Sequence, residues 1–120
     1  MRKAAEIYLE AHNAGIIAGQ RHTPQPMIVT WTDSNNQPQR EVVSDGLCGF
    51  AWIKIHPARG KFVKFLKHNN IGRKSQFETG YTIWVNEFNQ SHERKLAYAK
   101  AFSEVLRKNN IDAYPQSRLD

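Results

Sequence analysis

The stretch Leu47-Cys48-Gly49-Phe50-Ala51-Trp52-Ile53-Lys54-Ile55 decides the fold. It is short, rich in aromatic and β-branched residues, and ended by Pro57. Such a run reads as a strand. Both of its faces are largely apolar, which predicts a central position in a sheet. Asp45-Gly46 just before it is a strong hairpin signal, so the preceding strand, Arg40 to Ser44, is expected to pair with it. Met27 to Thr32 reads as a further strand, set off by the polar loop Asp33–Pro38, and Thr23-Pro24-Gln25-Pro26 starts the extended region. Trp31 and Trp84, each within a strand, are expected in the core together with Phe50 and Trp52. Cys48, beside Gly49 and Phe50, is expected to be buried.

Helical spacing surrounds this sheet. Residues 2–19 place Ala4, Ile7, Ala11, Gly15 and Gly19 near one face, a small-residue surface suited to close packing on a sheet or another helix. Arg59 to His68 is amphipathic, with Phe62, Phe65 and Leu66 inward and Lys61, Lys64 and His68 outward. Asn69-Asn70-Ile71-Gly72 closes it. Gly80 to Asn86 is a fourth strand. Ser91 caps a last helix with Leu96, Ala99, Phe102 and Leu106 in its stripe, and Glu104 is placed to pair with Lys108. Asp112 to Leu119 is an edge strand interrupted by Pro115. The expectation is one α+β domain spanning residues 1–120, a four- to five-stranded antiparallel or mixed sheet packed by three helices. The segments Lys61–Gly72 and Ala101–Asp112 share Phe, Leu, Asn, Asn and Ile at an offset of forty residues. Either a strand–helix unit is duplicated, or two helices end in the same Asn-rich cap; the cap is the simpler account.

Composition bounds the function. The 120 residues carry a formal charge of +6. Lys54, Arg59, Lys61, Lys64, Lys67, Arg73 and Lys74 lie in one acid-free segment, and the remainder holds 17 − 7 = 10 basic against 11 acidic residues. A local surplus of this kind points to an anionic partner. Cys48 alone forms no internal disulfide, which suits a reducing compartment. Without an apolar core after Met1-Arg2-Lys3, the N-terminal stretch is not expected to act as a signal peptide, and no apolar run reaches the roughly 20 residues of a membrane span. A cytoplasmic location is expected. The five histidines show no zinc-ligand spacing. There is no phosphate loop and no Gly-x-Gly-x-x-Gly, and nothing in the spacing of Asp33, Glu41, Asp45 and Glu87 requires them to meet. A non-enzymatic protein without metal or cofactor is expected.

Two resemblances add to this reading. Gly49–Ile55 resembles the ribonucleoprotein-1 strand of RNA-recognition domains, in which alternate aromatics stack on bases. Cys48 replaces that motif's basic residue and Ile55 its last aromatic, and a hairpin stands where a helix should come before it. Separately, Thr23–Met27, Asp45–Trp52, Trp84–Ser91 and Ser117–Asp120 together resemble a small-protein family of tailed bacteriophages. The resemblance covers most of the chain and carries no secure activity. It implies an accessory protein of the bacterial host cytoplasm, of a kind that counters host defence by binding a nucleotide signal, a nucleic acid or a host protein.

The resulting expectation is an anion-binding protein, with a nucleotide-type small molecule favoured over nucleic acid and over an acidic host enzyme. A homodimer is also compatible with the chain. The expected ligand-binding residues are Trp52, Lys54, Arg59, Lys61, Lys64, Arg73 and Lys74 on the basic side. To these are added Asn89, Ser91 and Arg94 at the start of the last helix, where free backbone N–H groups attract anions.

Overall fold

A computed structural model describes residues 2–44, 46–76 and 78–120. Its elements in order are α1 (Ala4–Arg21), β1 (Met27–Thr32), β2 (Pro38–Val43), β3 (Gly49–His56), α2 (Lys61–His68), β4 (Arg73–Lys74), β5 (Tyr81–Trp84), α3 (His92–Lys108) and β6 (Asp112–Leu119). The fold is α+β, as expected, with three helices and two antiparallel sheets. One sheet has four strands in the order β4-β5-β3-β6; the other is the hairpin β1-β2.

The separation of the hairpin corrects the expectation of a single sheet. The signal Asp45-Gly46 does not join β2 to β3; Asp45 itself lies outside the described residues. The hairpin turn is instead Asp33–Gln37. There the Asp33 carboxylate accepts the backbone N–H groups of Asn35 and Gln37, both at 2.9 Å. This Asx-type turn tolerates Asn36 at φ 60°. Among the described elements, β1 and β2 make extensive contact only with each other. The radius of gyration, 17.6 Å, exceeds the roughly 14 Å of a compact chain this long, consistent with a projecting arm.

In the main sheet β3 lies between β5 and β6, the interior position predicted for it. Trp52 faces Trp84 across one ladder, and Gly49 through His56 face Leu119 through Asp112 across the other. Alternation then sorts the side chains. Ala51, Ile53 and Ile55 join Tyr81, Ile83 and Ala113 in the core, against Ile7 and Ala11 of α1, Phe62, Val63 and Leu66 of α2, and Tyr98, Ala99, Phe102 and Leu106 of α3. Pro115 does not interrupt β6. It sits opposite Ile53 on an edge strand, where a missing N–H breaks no second ladder.

Without α1 and the hairpin, the order β3-α2-β4-β5-α3-β6 on a β4-β5-β3-β6 sheet is the split βαβ, or ferredoxin-like, arrangement. Reversing the sheet order exchanges β3-α2-β4 with β5-α3-β6. The cap reading of the forty-residue echo holds. Each helix ends in the same Schellman cap: Ile71 N–H donates to Leu66 at 2.9 Å and Ile111 N–H to Leu106 at 3.0 Å. Asn70 and Asn110 occupy the left-handed position at φ 56° and 62°. The two halves also correspond in topology.

Helix α1 is an addition to this plan and packs chiefly on α3. Its small residues permit the approach. A Cβ at Gly15 would lie 2.6–2.9 Å from ring carbons of Tyr98. The Tyr98 hydroxyl in turn lies 2.6 Å from His12 Nδ1, and burial pushes its pKa far above the usual tyrosine range. No helix among the described residues is long and apolar enough to cross a membrane.

Candidate functional site: the helix-free face of the sheet

All three helices pack on one side of the main sheet. The opposite side is built from the other parity of each strand: Phe50, Trp52, Lys54 and His56 of β3, Thr82 and Trp84 of β5, Tyr114, Gln116 and Arg118 of β6, and Arg73 of β4. The expectation that Phe50, Trp52 and Trp84 are core residues is therefore corrected. They are half-buried on the helix-free face, because the core is served by the small and aliphatic residues between them.

The aromatics form one cluster. Trp52 and Trp84 stack with centroids 4.5 Å apart and ring planes 22° apart, and Phe50 meets Trp84 edge-on at 6.2 Å. The Trp52 indole N–H donates to Gln116 Oε1 at 2.7 Å, which fixes the ring's orientation. Two guanidinium groups flank the cluster: Arg73 lies 5.5 Å from the Trp84 ring centre and Arg118 lies 5.2 Å from that of Phe50. A groove of about 300 Å³ runs between them, lined by Trp52, Trp84, Arg73, Arg118, Gln116, Thr82, Ser75, Gln76 and Glu78.

Lys54 belongs to this face but is only 4% exposed. Its ammonium is paired with Glu78, which is largely exposed at the groove. An ion this buried requires a partner, so Lys54 is a masked cation rather than a free one.

The structure divides the acid-free segment between layers. Trp52 and Arg73 line the groove, and Lys54 is buried on the same face behind Glu78. Lys61 and Lys64 ride on the exposed side of α2, within the helical layer. Lys74 is exposed on β4, with the opposite parity to Arg73. Arg59 and Lys61 instead line a second cleft of about 820 Å³, with Arg2, Lys3, Asn109 and Asn110 around an apolar floor that includes Ile7, Ile55 and Phe62. A single basic side does not form, because α2 and β4 present their cations in different directions.

Asn89, Ser91 and Arg94 line neither depression. Ser91 is buried and its Oγ accepts the Arg94 N–H at 3.4 Å, while the His92 N–H donates to Leu47 at 3.0 Å. Glu93 accepts from Gln25 N–H at 2.9 Å and contacts His22 Nε2 at 3.1 Å. The start of α3 is thus a junction that ties together the chain before β1, the chain before β3, and the helix. Cys48 is exposed, against the expectation of burial: it precedes β3, bridges Ser91 and accepts the Asp120 N–H at 3.1 Å through its backbone, and leaves its thiol outside the core. Trp31, also expected in the core, is 47% exposed on the hairpin. Among the described residues no group of three or more His, Cys, Asp or Glu could hold a metal ion.

Sequence reasoning did not single out Trp84, Gln116 or Arg118 as site residues. The signal was present in Tyr114-Pro115-Gln116-Ser117-Arg118, whose large polar side chains recur at every second position. Comparison with family models, curated proteins and solved structures finds no match for the chain.

Proposed function

We propose that the protein binds a phosphate-bearing ligand on the helix-free face of its main sheet, and that this ligand is single-stranded nucleic acid. The observation that carries the reading is the Trp52–Trp84 stack flanked by Arg73 and Arg118 on opposite sides. Base stacking on aromatic side chains accepts any sequence, and adjacent cations take the backbone. A base entering the groove replaces a guanidinium–ring contact with ring–base stacking. The displaced guanidinium is left beside the phosphate. Duplex DNA keeps its bases stacked inward and offers these rings nothing comparable. The arrangement parallels the mode of RNA-recognition modules, whose four-stranded sheets stack bases on aromatics. The parallel is an analogy of fold, and the proposal rests on the site itself.

The test is fluorescence anisotropy with a labelled single-stranded oligonucleotide of about ten residues, with a duplex of the same sequence and free mononucleotides as competitors. The single strand should bind more tightly than the duplex, and its affinity should fall with salt, with a slope of about −0.7 per phosphate contact. Absence of binding at low salt would remove the proposal.

A second reading is favoured by the larger cleft. Arg2, Lys3, Arg59 and Lys61 surround its apolar floor, a combination suited to a nucleotide-type small molecule. Arg2 is already paired with Glu10, which weakens the field there. Calorimetry with mononucleotides and dinucleotides, using Arg59→Ala as control, separates this reading from the first. Either function suits the phage accessory setting that the resemblance implies.

A further inference from the structure

The hairpin takes no part in the proposed site, and its two edges differ. β2 carries Pro38, Arg40 and Glu41, the residue types that blunt an exposed edge against further pairing. β1, Met-Ile-Val-Thr-Trp-Thr, has no charge and no proline. It is an unprotected edge of high β-propensity. Apolar side chains stand in solvent on both faces: Val29 39% and Trp31 47% exposed on one, Ile28 53% and Val42 54% on the other. An isolated two-stranded ribbon is marginal in water, whereas three or more strands with an apolar face are stable.

We propose that β1 pairs antiparallel with β1 of a second copy of this chain, giving a continuous four-stranded β2-β1-β1-β2 sheet. Symmetry and charge select this occupant and this edge. A two-fold axis normal to the sheet sets a residue opposite its own copy. Centred within β2 it would oppose Arg40 to Arg40 or Glu41 to Glu41, and like charges directly opposite are destabilising. Centred on Val29 it opposes Val29 to Val29 and Met27 to Trp31, with no charge involved. The chain as a whole carries +6 and repels its own copy. On the hairpin strands Arg40 and Glu41 cancel, so this arm is where two copies approach without penalty. Pairing through the arms also leaves both groove faces free. The inference stands independently of the nucleic-acid reading.

Sedimentation equilibrium of the full chain tests it. The expected mass is twice 13.8 kDa. Val29→Lys, a charge on the unprotected edge, should return it to 13.8 kDa, and Val42→Gln, which alters the other strand without changing the charge of the arm, should leave it doubled. Because the hairpin hardly touches the body, the cross-strand backbone contacts between β1 and β2 in an NMR spectrum, rather than the melting of the main sheet, report whether the arm of Val29→Lys remains folded; Trp31→Glu is the second variant if it does not. A wild-type mass of 13.8 kDa, or Val42→Gln dissociating as readily as Val29→Lys, overturns the proposal.

Discussion

Replacing Trp84 with alanine removes one member of the stacked pair, uncovers one side of Trp52 and takes away the ring over which Arg73 lies. Stacking of one base on one aromatic side chain is worth roughly 1–3 kcal/mol. At about 1.4 kcal/mol per tenfold change, affinity for a single strand should fall roughly 5- to 150-fold. The fold should survive the change. Trp84 is half-buried and its core neighbours Ile83 and Val85 are untouched. Losing the contacts with Trp52 and Phe50 should cost about 0.5–1.5 kcal/mol per aromatic pair. Binding measured well below the thermal transition therefore reports the site rather than unfolding. The assay is anisotropy at fixed ionic strength, with Trp84→Phe as companion; Phe retains a stacking surface and should recover most of the loss. If Trp84→Ala binds within a factor of two of wild type while its thermal transition remains cooperative, the aromatic cluster is not a stacking platform and the reasoning fails.

Glu78→Gln removes the carboxylate that masks Lys54. Binding should tighten about fivefold, from roughly 1 kcal/mol of regained attraction at a water-like dielectric, while the thermal transition falls because a buried ammonium loses its partner; anisotropy and scanning calorimetry read the two effects. Gly15→Ala gains up to about 1 kcal/mol of helix propensity but drives a methyl into the Tyr98 ring, an overpacking cost of about 1–3 kcal/mol. The net expectation is a lower melting temperature, and a rise would refute the packing argument. The carboxyl of Glu93 is held below the usual glutamate range, first by the hydrogen bond from His22 and then by that from the Gln25 backbone. A lowered folded value means its contribution is complete above the unfolded value of about 4.3 and is lost as pH falls through the folded one. Thermal melts of Glu93→Gln should therefore show a shallower decline below about pH 4.3 than wild type, and parallel acid limbs would contradict the assignment.

Much of the fold was legible because local signals and tertiary structure agree. The helix stripes, the Ser91 cap and the twin Asn-Asn-Ile caps are short-range features with short-range causes. Three features were not legible. β4 is only Arg73–Lys74, too short for periodicity to show. The hairpin was misassigned because Asp45-Gly46 is a turn signal whatever follows it. Nothing local says that β2 stops pairing there, and the partner choice depends on β6 arriving from the far end of the chain to occupy that edge of β3. The aromatic face was misread because Phe50 and Trp52 alternate with Ala51 and Ile53, and both sets are apolar. Hydrophobicity marks such a strand as central but does not say which face the helices cover. The topology decides that. The same reason split the basic segment: contiguity in sequence placed Lys54, Lys64 and Arg73 together, but a strand, a helix and a strand edge turn them to different surfaces.

The most direct test of the account uses the three tryptophans as reporters. In a two-dimensional ¹H–¹⁵N spectrum each indole N–H gives its own signal. Titration with a single-stranded oligonucleotide should shift the Trp52 and Trp84 signals, with Trp52 sensitive because its N–H is bonded to Gln116. The Trp31 signal on the distant hairpin should stay in place. Shifts confined to Trp31, or none at saturating oligonucleotide, would contradict the assignment of the helix-free sheet face as the binding surface.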